Sequence, residues 1–407
     1  MRPLTETRPK PMISFAGHPI LERLLDALRE SGFKEILLVV GYRKESIRSF
    51  FGTGESLGVR ISYVEQARPQ GTGDALLSAR EYVQSEPFLV TYGDLSIQAR
   101  AVKTLLEKSQ FGRLPSVAVS RFPEWKNMGV VTVEDGFVKQ IIEKPKEEIP
   151  GGLANIGVYV ANSSVLNAII QSDLSERGEN ELTSSLQALI DRGDRILPVE
   201  FGVDEWTHLS APWDLFDANG RILSTMKPMM EGHLEKGVHL QGQCIIESRV
   251  KILSGSFVEG PVFIGASSLI GPNSYVRGQT SIGRNVRIGH GCEVKNSIVM
   301  DNVKIPHQSY VGDSIIGEGC SLGAGTITAN LRFDEAEIWF DIDGRREKTN
   351  RRKLGAVLGD NVKTGVNVSL MPGTKIGSNS WVGPHQAVSG TVVSGSKLIS
   401  TSEIRPP

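Results

Sequence analysis

Cysteine is scarce in this chain: three in 407 residues, at Cys244, Cys292 and Cys320, with no C-x-x-C spacing. That spacing gives little support to a disulfide framework or a cysteine zinc site. Aromatic residues are also few, at 6%. Neither sign of charge is in excess, with 45 Lys+Arg against 46 Asp+Glu, which excludes a strongly basic nucleic-acid surface over the whole molecule. No segment approaches the roughly 18 consecutive apolar residues that suggest a membrane span. The opening from Met1 to Met12 is polar and broken by proline, unlike a signal peptide. These absences read as a soluble, cytoplasmic protein with neither nucleic acid nor membrane as a partner.

What the chain does have is glycine, 44 residues of it, and length enough for two or three domains, because single cores rarely pass roughly 250–300 residues. The first half alternates short apolar runs with helical patterns. Ile36-Leu37-Leu38-Val39-Val40 reads as a buried strand, and Ile20, Leu21, Leu24, Leu25 and Leu28 mark one face of a helix. Further strands are predicted at 59–64, 88–91 and 116–119, with helices at 74–82 and 102–107. Val130–Val133 and 137–142, joined by Asp135-Gly136, read as a hairpin. This order predicts an open, mostly parallel α/β sheet with ligands at the carboxyl ends of its strands.

Helical periodicity stops near residue 235. Ile264, Ile270, Val276, Ile282, Ile288 and Val294 then recur at intervals of six, with glycine following at 265, 271, 283 and 289. After a phase slip, Ile316 and Leu322 resume the pattern. Leu358, Thr364, Leu370, Ile376, Val382 and Val388 extend it. A period of six is the hexapeptide repeat of a parallel β-helix, with the aliphatic residue inward and the glycine expected to help each corner turn. Residues 330–354 interrupt the repeat. Ile338 to Gly344 reads as a strand ending in an Asp-Gly turn, so an arm is expected to leave the coil there. The run Arg345 to Lys353 is dense in positive charge, and fits either a solvated loop or a clamp for phosphate.

Several segments together resemble the sugar-phosphate nucleotidyltransferase family. Arg2-Pro3-Leu4-Thr5-Glu6-Thr7-Arg8-Pro9-Lys10-Pro11 matches the second half of that family's G-x-G-T-R-(L/M)-x-P-L-T-x-x-x-P-K-P signature. Gln66…Gln70-Gly71-Thr72-Gly73-Asp74, Tyr92-Gly93-Asp94, Glu143-Lys144-Pro145, Ala154-Asn155-Ile156-Gly157 and Ser175 to Thr183 follow in family order. The resemblance implies a Rossmann-like α/β domain over 1–230. It also implies that Lys10 neutralises phosphate, that Gln66, Gly71 and Thr72 bind the nucleotide, and that Asp94 holds Mg²⁺. Gly129, Glu143 and Asn155 would hold the sugar. Taken singly, Lys10 also reads as a surface lysine, and Gly71 as a turn glycine. Two departures stand out. The chain starts one residue past the family's arginine, so a glycine-rich loop and a central first strand are expected before Met1. His208 also stands where the family usually has an aspartate ligand for the metal, and imidazole is a poorer partner for Mg²⁺ than a carboxylate.

The repeat region is similar to the acetyltransferase half of the bifunctional enzymes of UDP-N-acetylglucosamine synthesis, archaeal type. The residues that carry this are Tyr275-Val276-Arg277, Glu293-Val294-Lys295, Pro306 to Asp313, Gly323 to Asn330 and Arg351 to Gly355. The resemblance implies a left-handed parallel β-helix over 235–407 with its arm at 330–354, and a homotrimer. Amide formation from an amine and a thioester needs a base near neutral pH, for which histidine is suited. His307 is the candidate, with a hydrogen-bonded structural histidine as the alternative, and it falls in the stretch where the hexad phase slips. By resemblance, Arg277, Lys295, Tyr310, Asn330 and Lys353 bind the amino-sugar-1-phosphate, and Ala324 and Val366 contact acetyl-CoA. The implied function is bifunctional: N-acetylation from acetyl-CoA, then uridylyl transfer from UTP or another NTP. The alternatives are an acetyltransferase with a degenerate nucleotide domain and a non-catalytic regulatory or scaffold protein.

Overall fold

The computed structural model describes residues 1–83, 87–121, 128–175 and 178–399. The chain forms two compact units: Ile20–His208, and Met1–Pro19 together with Leu209–Pro407. No helix among the described residues is long and apolar enough to cross a membrane.

The first nineteen residues group with the C-terminal coil, although their sequence carries the nucleotidyltransferase signature. They end in a small hairpin, β1 (Ser14–Phe15) and β2 (His18–Pro19), and bury Leu4, Ile13 and Phe15. The segment is stapled to the coil by polar contacts. Arg8 pairs with Glu318 at 3.1 Å and with Asp360, which also accepts from the Thr7 hydroxyl. The Glu6 carboxylate accepts from the Ser378 amide at 2.7 Å.

In the unit Ile20–His208, α1 (Ile20–Glu30) buries the five residues of its periodic face, as helical spacing requires. Next come β3 (Glu35–Val40), α2 (Lys44–Phe51), β4 (Arg60–Glu65), α3 (Thr72–Ser78), β5 (Phe88–Thr91), β6 (Ser96–Ile97) and α4 (Ala99–Lys108). They are followed by β7 (Ser116–Ser120), β8 (Gly129–Glu134), β9 (Phe137–Glu143), β10 (Leu153–Ala161), α5 (Ser163–Gln171), α6 (Leu182–Asp191), β11 (Leu197–Glu200) and β12 (Trp206–Thr207). The Asp135-Gly136 hairpin forms, with both residues at positive φ. The expectation of a mostly parallel sheet needs correction. β10 runs antiparallel to β5, β7 and β8, and only β11 and β7 pair in parallel in that sheet. Short connections between β8, β9 and β10 favour antiparallel neighbours, because parallel pairs need long crossovers. β3 and β4 form a separate parallel pair. Their apolar residues Ile36, Leu37 and Leu38 remain only half-buried.

After α7 (Asp214–Thr225) the chain winds into a parallel coil of three strand ladders, the longest of nine strands. Ile246, Ile252, Val258, Ile264, Ile270, Val276, Ile282, Ile288 and Val294 point inward and are fully buried. Each such side chain contributes about 1.5–3 kcal/mol by leaving water. The coil repeats every eighteen residues where Val262 pairs with Thr280, and every seventeen where Ser281 pairs with Ile298. Slips of one residue fall between Val294 and Val299 and between Val311 and Ile316, and one of two residues falls between Val388 and Val392. His307 itself stays in phase, directly beside His290 of the preceding coil. Its exposure therefore comes from its place at a corner, not from a break in the repeat. The hexad glycines also act differently from expectation. A Cβ at Gly289 would stand 1.9 Å from the Pro306 carbonyl oxygen, so glycine there permits close stacking of coils. The left-handed corner conformations fall instead on residues such as Asn285, Asn302, Asn361 and Asn379, a conformation asparagine tolerates.

The interruption forms the expected arm, a hairpin of Trp339–Ile342 and Arg345–Lys348 turning at Asp343-Gly344. Phe340 is buried at its base, and Lys375 bonds the Asp341 carboxylate at 2.8 Å. Replacing Arg8 by alanine would leave the buried Asp360 carboxylate without its ion partner. A loss of about 3 kcal/mol is expected, measured by urea unfolding, and an unchanged midpoint would contradict the staple.

Candidate functional site

On the coil, Arg277, Lys295 and Tyr310 lie on one face, built by the strands Tyr275–Arg277, Glu293–Lys295 and Tyr310–Gly312, and His307 stands at the corner that precedes this face. Arg277 and Lys295 are neighbours in register on successive strands, and Gly312 is next in the column. Tyr310 stands beside them, two residues from Gly312, where a Cβ would lie 2.4 Å from the tyrosine oxygen. Glycine at 312 is therefore what lets the ring lie across the strand. Asn330 donates to the Tyr310 oxygen at 3.2 Å and to the Asp313 carboxylate. Asp313 also accepts from Asn296 at 2.6 Å and faces Lys295 at 3.4 Å. Glu293 holds Arg277 at 2.8 Å and raises its guanidinium pKa above the ordinary value. Burial, then the charges of Asp313 and Glu293, raise that of Tyr310, so its hydroxyl remains protonated and able to donate.

His307 ends the strand Lys304–His307 and is exposed, three residues before Tyr310. The Gly325 amide donates to the His307 carbonyl at 3.2 Å, and the Asn367 amide donates to the Ala324 carbonyl at 2.8 Å. These bonds stack Ala324 and then Val366 on the coils directly beyond His307. Ala324's own amide donates to no backbone acceptor among the described residues. The basic run of the arm is sorted by the fold: Arg351 pairs with Asp217, Arg352 with Glu335, and Arg346 and Lys348 lie over Trp339. Lys353 bridges to Leu331, next to Asn330, and makes no ion pair among the described residues.

In the α/β unit, register places Gly129 opposite both Glu143 and Asn155. A Cβ at Gly129 would meet the Glu143 carboxylate at 3.1 Å. Asn155 is anchored by the Tyr159 hydroxyl at 2.8 Å and the Gly157 amide at 3.1 Å. Gln66 donates to the Gly71 carbonyl at 3.1 Å and to Asp74 at 2.7 Å, closing the loop before α3. Gly71 has φ +112, and a Cβ there would strike the Asn180 carbonyl. Thr72 accepts from the Leu182 amide at 3.0 Å. Asp94 follows the carboxyl end of β5. Lys10 opens the turn Lys10–Met12 in the segment grouped with the coil. Glu176 and Arg177 lie outside the described residues.

Residues 1–225 match the nucleotidyl transferase family model, and residues 258–371 match the GMPPB C-terminal domain. The chain is 38% identical over 405 residues to the bifunctional protein GlmU of Methanocaldococcus jannaschii, covering 99% of this chain and 95% of that one. It is 39% identical over 408 residues to the GlmU protein of Methanococcus vannielii, with the same coverage.

The chain belongs to the bifunctional GlmU family.

A bifunctional sugar-1-phosphate nucleotidylyltransferase/acetyltransferase of Sulfurisphaera tokodaii is 38% identical over 399 residues, 96% of this chain and 95% of that one. A solved Bacillus anthracis structure titled as a glucose-1-phosphate thymidylyltransferase gives a TM-score of 0.50 at 23% identity, covering 56% of this chain and 92% of that one; it speaks for the fold alone.

Asp94 and His208, the two residues weighed for a metal from the sequence, lie on neighbouring segments. β6 and β12 pair antiparallel, Ser96 opposite Thr207, which brings the segments bearing Asp94 and His208 side by side. No group of three or more His, Cys, Asp or Glu side chains forms a metal site among the described residues. Asp94 fits Mg²⁺ as a single carboxylate completed by substrate phosphates, a common arrangement for that ion. His208 adds only a nitrogen.

Three organising residues escaped sequence reasoning about roles. Asp313 ties Lys295, Asn296 and Asn330 together. Asn180 shapes the Gly71 loop. Tyr92 links candidates of both groups: Thr72 and Tyr159 bond to it, and the charges of Glu143 and Asp94 act on it. All three sit inside motifs that were legible, but their partners are distant in sequence. Asp313→Asn turns an acceptor for three donors into a competing donor. It is expected to lower stability by about 1–3 kcal/mol in urea unfolding, and an unshifted midpoint would count against its organising role.

Proposed function

We propose that this GlmU-family enzyme acetylates an amino-sugar-1-phosphate with acetyl-CoA and then transfers uridylyl from UTP to the N-acetyl product, two steps of UDP-N-acetylglucosamine synthesis. The observation that carries the reading is the corner where His307, Ala324 and Val366 stack beside the network of Lys295, Tyr310, Asp313 and Asn330.

In the acetyl step the amine nitrogen attacks the thioester carbonyl while His307 removes its proton. The carbon–sulfur bond then breaks, and coenzyme A leaves as the thiol after taking up that proton. The Ala324 amide is free to donate to the developing oxyanion. Arg277, Lys295 and Lys353 supply cationic groups for the sugar phosphate, and Tyr310 and Asn330 orient the ring.

In the uridylyl step an oxygen of the sugar-1-phosphate attacks the α-phosphorus of UTP and pyrophosphate departs. Lys10 neutralises phosphate oxygens, Gln66, Gly71 and Thr72 hold the base, and Gly129, Glu143 and Asn155 fix the sugar. Mg²⁺ held by Asp94 would supply further charge neutralisation, the main requirement of this chemistry. We also propose a cytoplasmic homotrimer, as the resemblance of the repeat region implies.

His307→Ala is expected to lower acetyl transfer by about 10²–10⁴ while pyrophosphate release from UTP continues. Equal loss of both activities, or of neither, would contradict the assignment. His208→Asp is expected to raise Mg²⁺-dependent pyrophosphate release by adding a second hard ligand; an unchanged rate across a magnesium titration would show that position 208 does not limit metal binding.

A further inference from the structure

The last coils carry a column of side chains that the acetyl-acceptor residues leave unexplained. The strands Lys363–Thr364, Trp381–Val382 and Lys397–Leu398 pair in parallel, so Lys363, Trp381 and Lys397 stand outward in register. The ammonium groups of Lys363 and Lys397 lie 5.6 and 4.6 Å from the centre of the Trp381 ring. Neither lysine makes an ion pair with a carboxylate among the described residues, so both charges are available to an anion. Trp381 is 42% exposed, an unusual setting for an indole unless something covers it. A shallow cavity of about 290 Å³ adjoins the column, with walls that include Gly365, Gly383, Pro384 and Ile399.

The position of the column matters as much as its chemistry. It continues from Lys363 through Ser321 to Lys304, in the strand that ends at His307. Three strand spacings of about 4.8 Å put Trp381 about 14 Å along the coil from that strand. The corner column advances the same way: the Asn367 amide bonds Ala324, and the His385 amide bonds Val366 at 2.9 Å. A donor whose thioester sits at His307 and whose chain follows Ala324 and Val366 therefore ends beside Trp381. The far end of acetyl-CoA is an adenine nucleotide, a flat π system carrying several phosphate charges. An indole flanked by two ammonium groups that no carboxylate neutralises among the described residues matches both features.

We propose that Trp381, Lys363 and Lys397 form the docking platform for the nucleotide end of acetyl-CoA, the indole packing on adenine and the lysines taking phosphate oxygens. The inference rests on the acetyltransferase reading of the coil, and the experiment keeps the two separate. Steady-state acetyl transfer is measured for the full chain and for Trp381→Ala, with acetyl-CoA and with S-acetylpantetheine, which lacks the nucleotide. Trp381→Ala is expected to raise KM for acetyl-CoA about tenfold, the loss of one stacking contact, with kcat within about twofold. The kcat/KM for S-acetylpantetheine is expected to stay the same, and Trp381→Phe to recover most of the KM. The double variant Lys363→Gln, Lys397→Gln is expected to raise KM for acetyl-CoA and to flatten its dependence on ionic strength. An unchanged KM for acetyl-CoA, or equal losses with both donors, would overturn the platform. Were the full chain to transfer acetyl from neither donor, the acetyltransferase reading would fall. Titration with adenosine 3′,5′-bisphosphate, followed by tryptophan fluorescence, then still decides the platform: quenching lost in Trp381→Ala supports it, and no quenching in the full chain overturns it.

Discussion

The ladder of backbone hydrogen bonds between successive coils determines where each outward side chain of the C-terminal unit stands. Every coil donates to and accepts from the next in register, and the inward aliphatic column holds that register by burial. A site on such a surface is built by addition. Arg277 and Lys295 are adjacent because their strands pair, although eighteen residues separate them. His307, Ala324 and Val366 meet for the same reason. Two coils shortened by one residue leave the aliphatic column undisturbed and occur beside Lys295 and Asp313; a later coil, where Lys375 pairs with Thr391, is shortened by two. Asn296 and Asp313 stand at left-handed corners, as Gly278 does on the preceding coil, and the Asp313 carboxylate lies within reach of three donors.

The α/β unit obeys a different constraint. Gly129 and Asn155 are set opposite one another by a nine-residue strand, β10, that pairs with three neighbours at different parts of its length. A register change within β10 between Asn155 and Tyr159 accompanies the bond between those two side chains. Gly157 lies between them at positive φ, and a Cβ there would overlap the Tyr92 ring. Glycine at this point thus allows the partly buried Tyr92 to meet the buried Tyr159, and desolvation keeps both phenols neutral by raising their pKa values.

Much of this was legible in the sequence, and the gaps have physical causes. The hexads were readable because one residue type recurs at a short, fixed interval and faces one environment. The hairpin at Asp135-Gly136 and the arm turn at Asp343-Gly344 were readable because left-handed turns favour those residues. The grouping of Met1–Pro19 with the coil was not, since it depends on Arg8 meeting Asp360 across more than three hundred residues. The strand β10 was not legible as a strand, because Asn155 and Gly157 interrupt its apolar run, and with it went the antiparallel pairing it imposes on the sheet. The role of the hexad glycines was misjudged because sequence does not distinguish a turn from a close approach. Motif matching gathered Arg277, Lys295, Tyr310, Asn330 and His307, whereas Asp313, Tyr92 and Trp381 acquire meaning only from neighbours.

The central claim is that outward residues of the coil, aligned by its hydrogen-bond ladder, form an acetyl-transfer site at the His307 corner. The most direct measurement is release of the coenzyme A thiol from acetyl-CoA by the full chain, with and without glucosamine-1-phosphate. Thiol release that requires the amino sugar and matches N-acetyl product one for one is the predicted result. A folded protein that releases no thiol in its presence, or releases it equally in its absence, would contradict the claim.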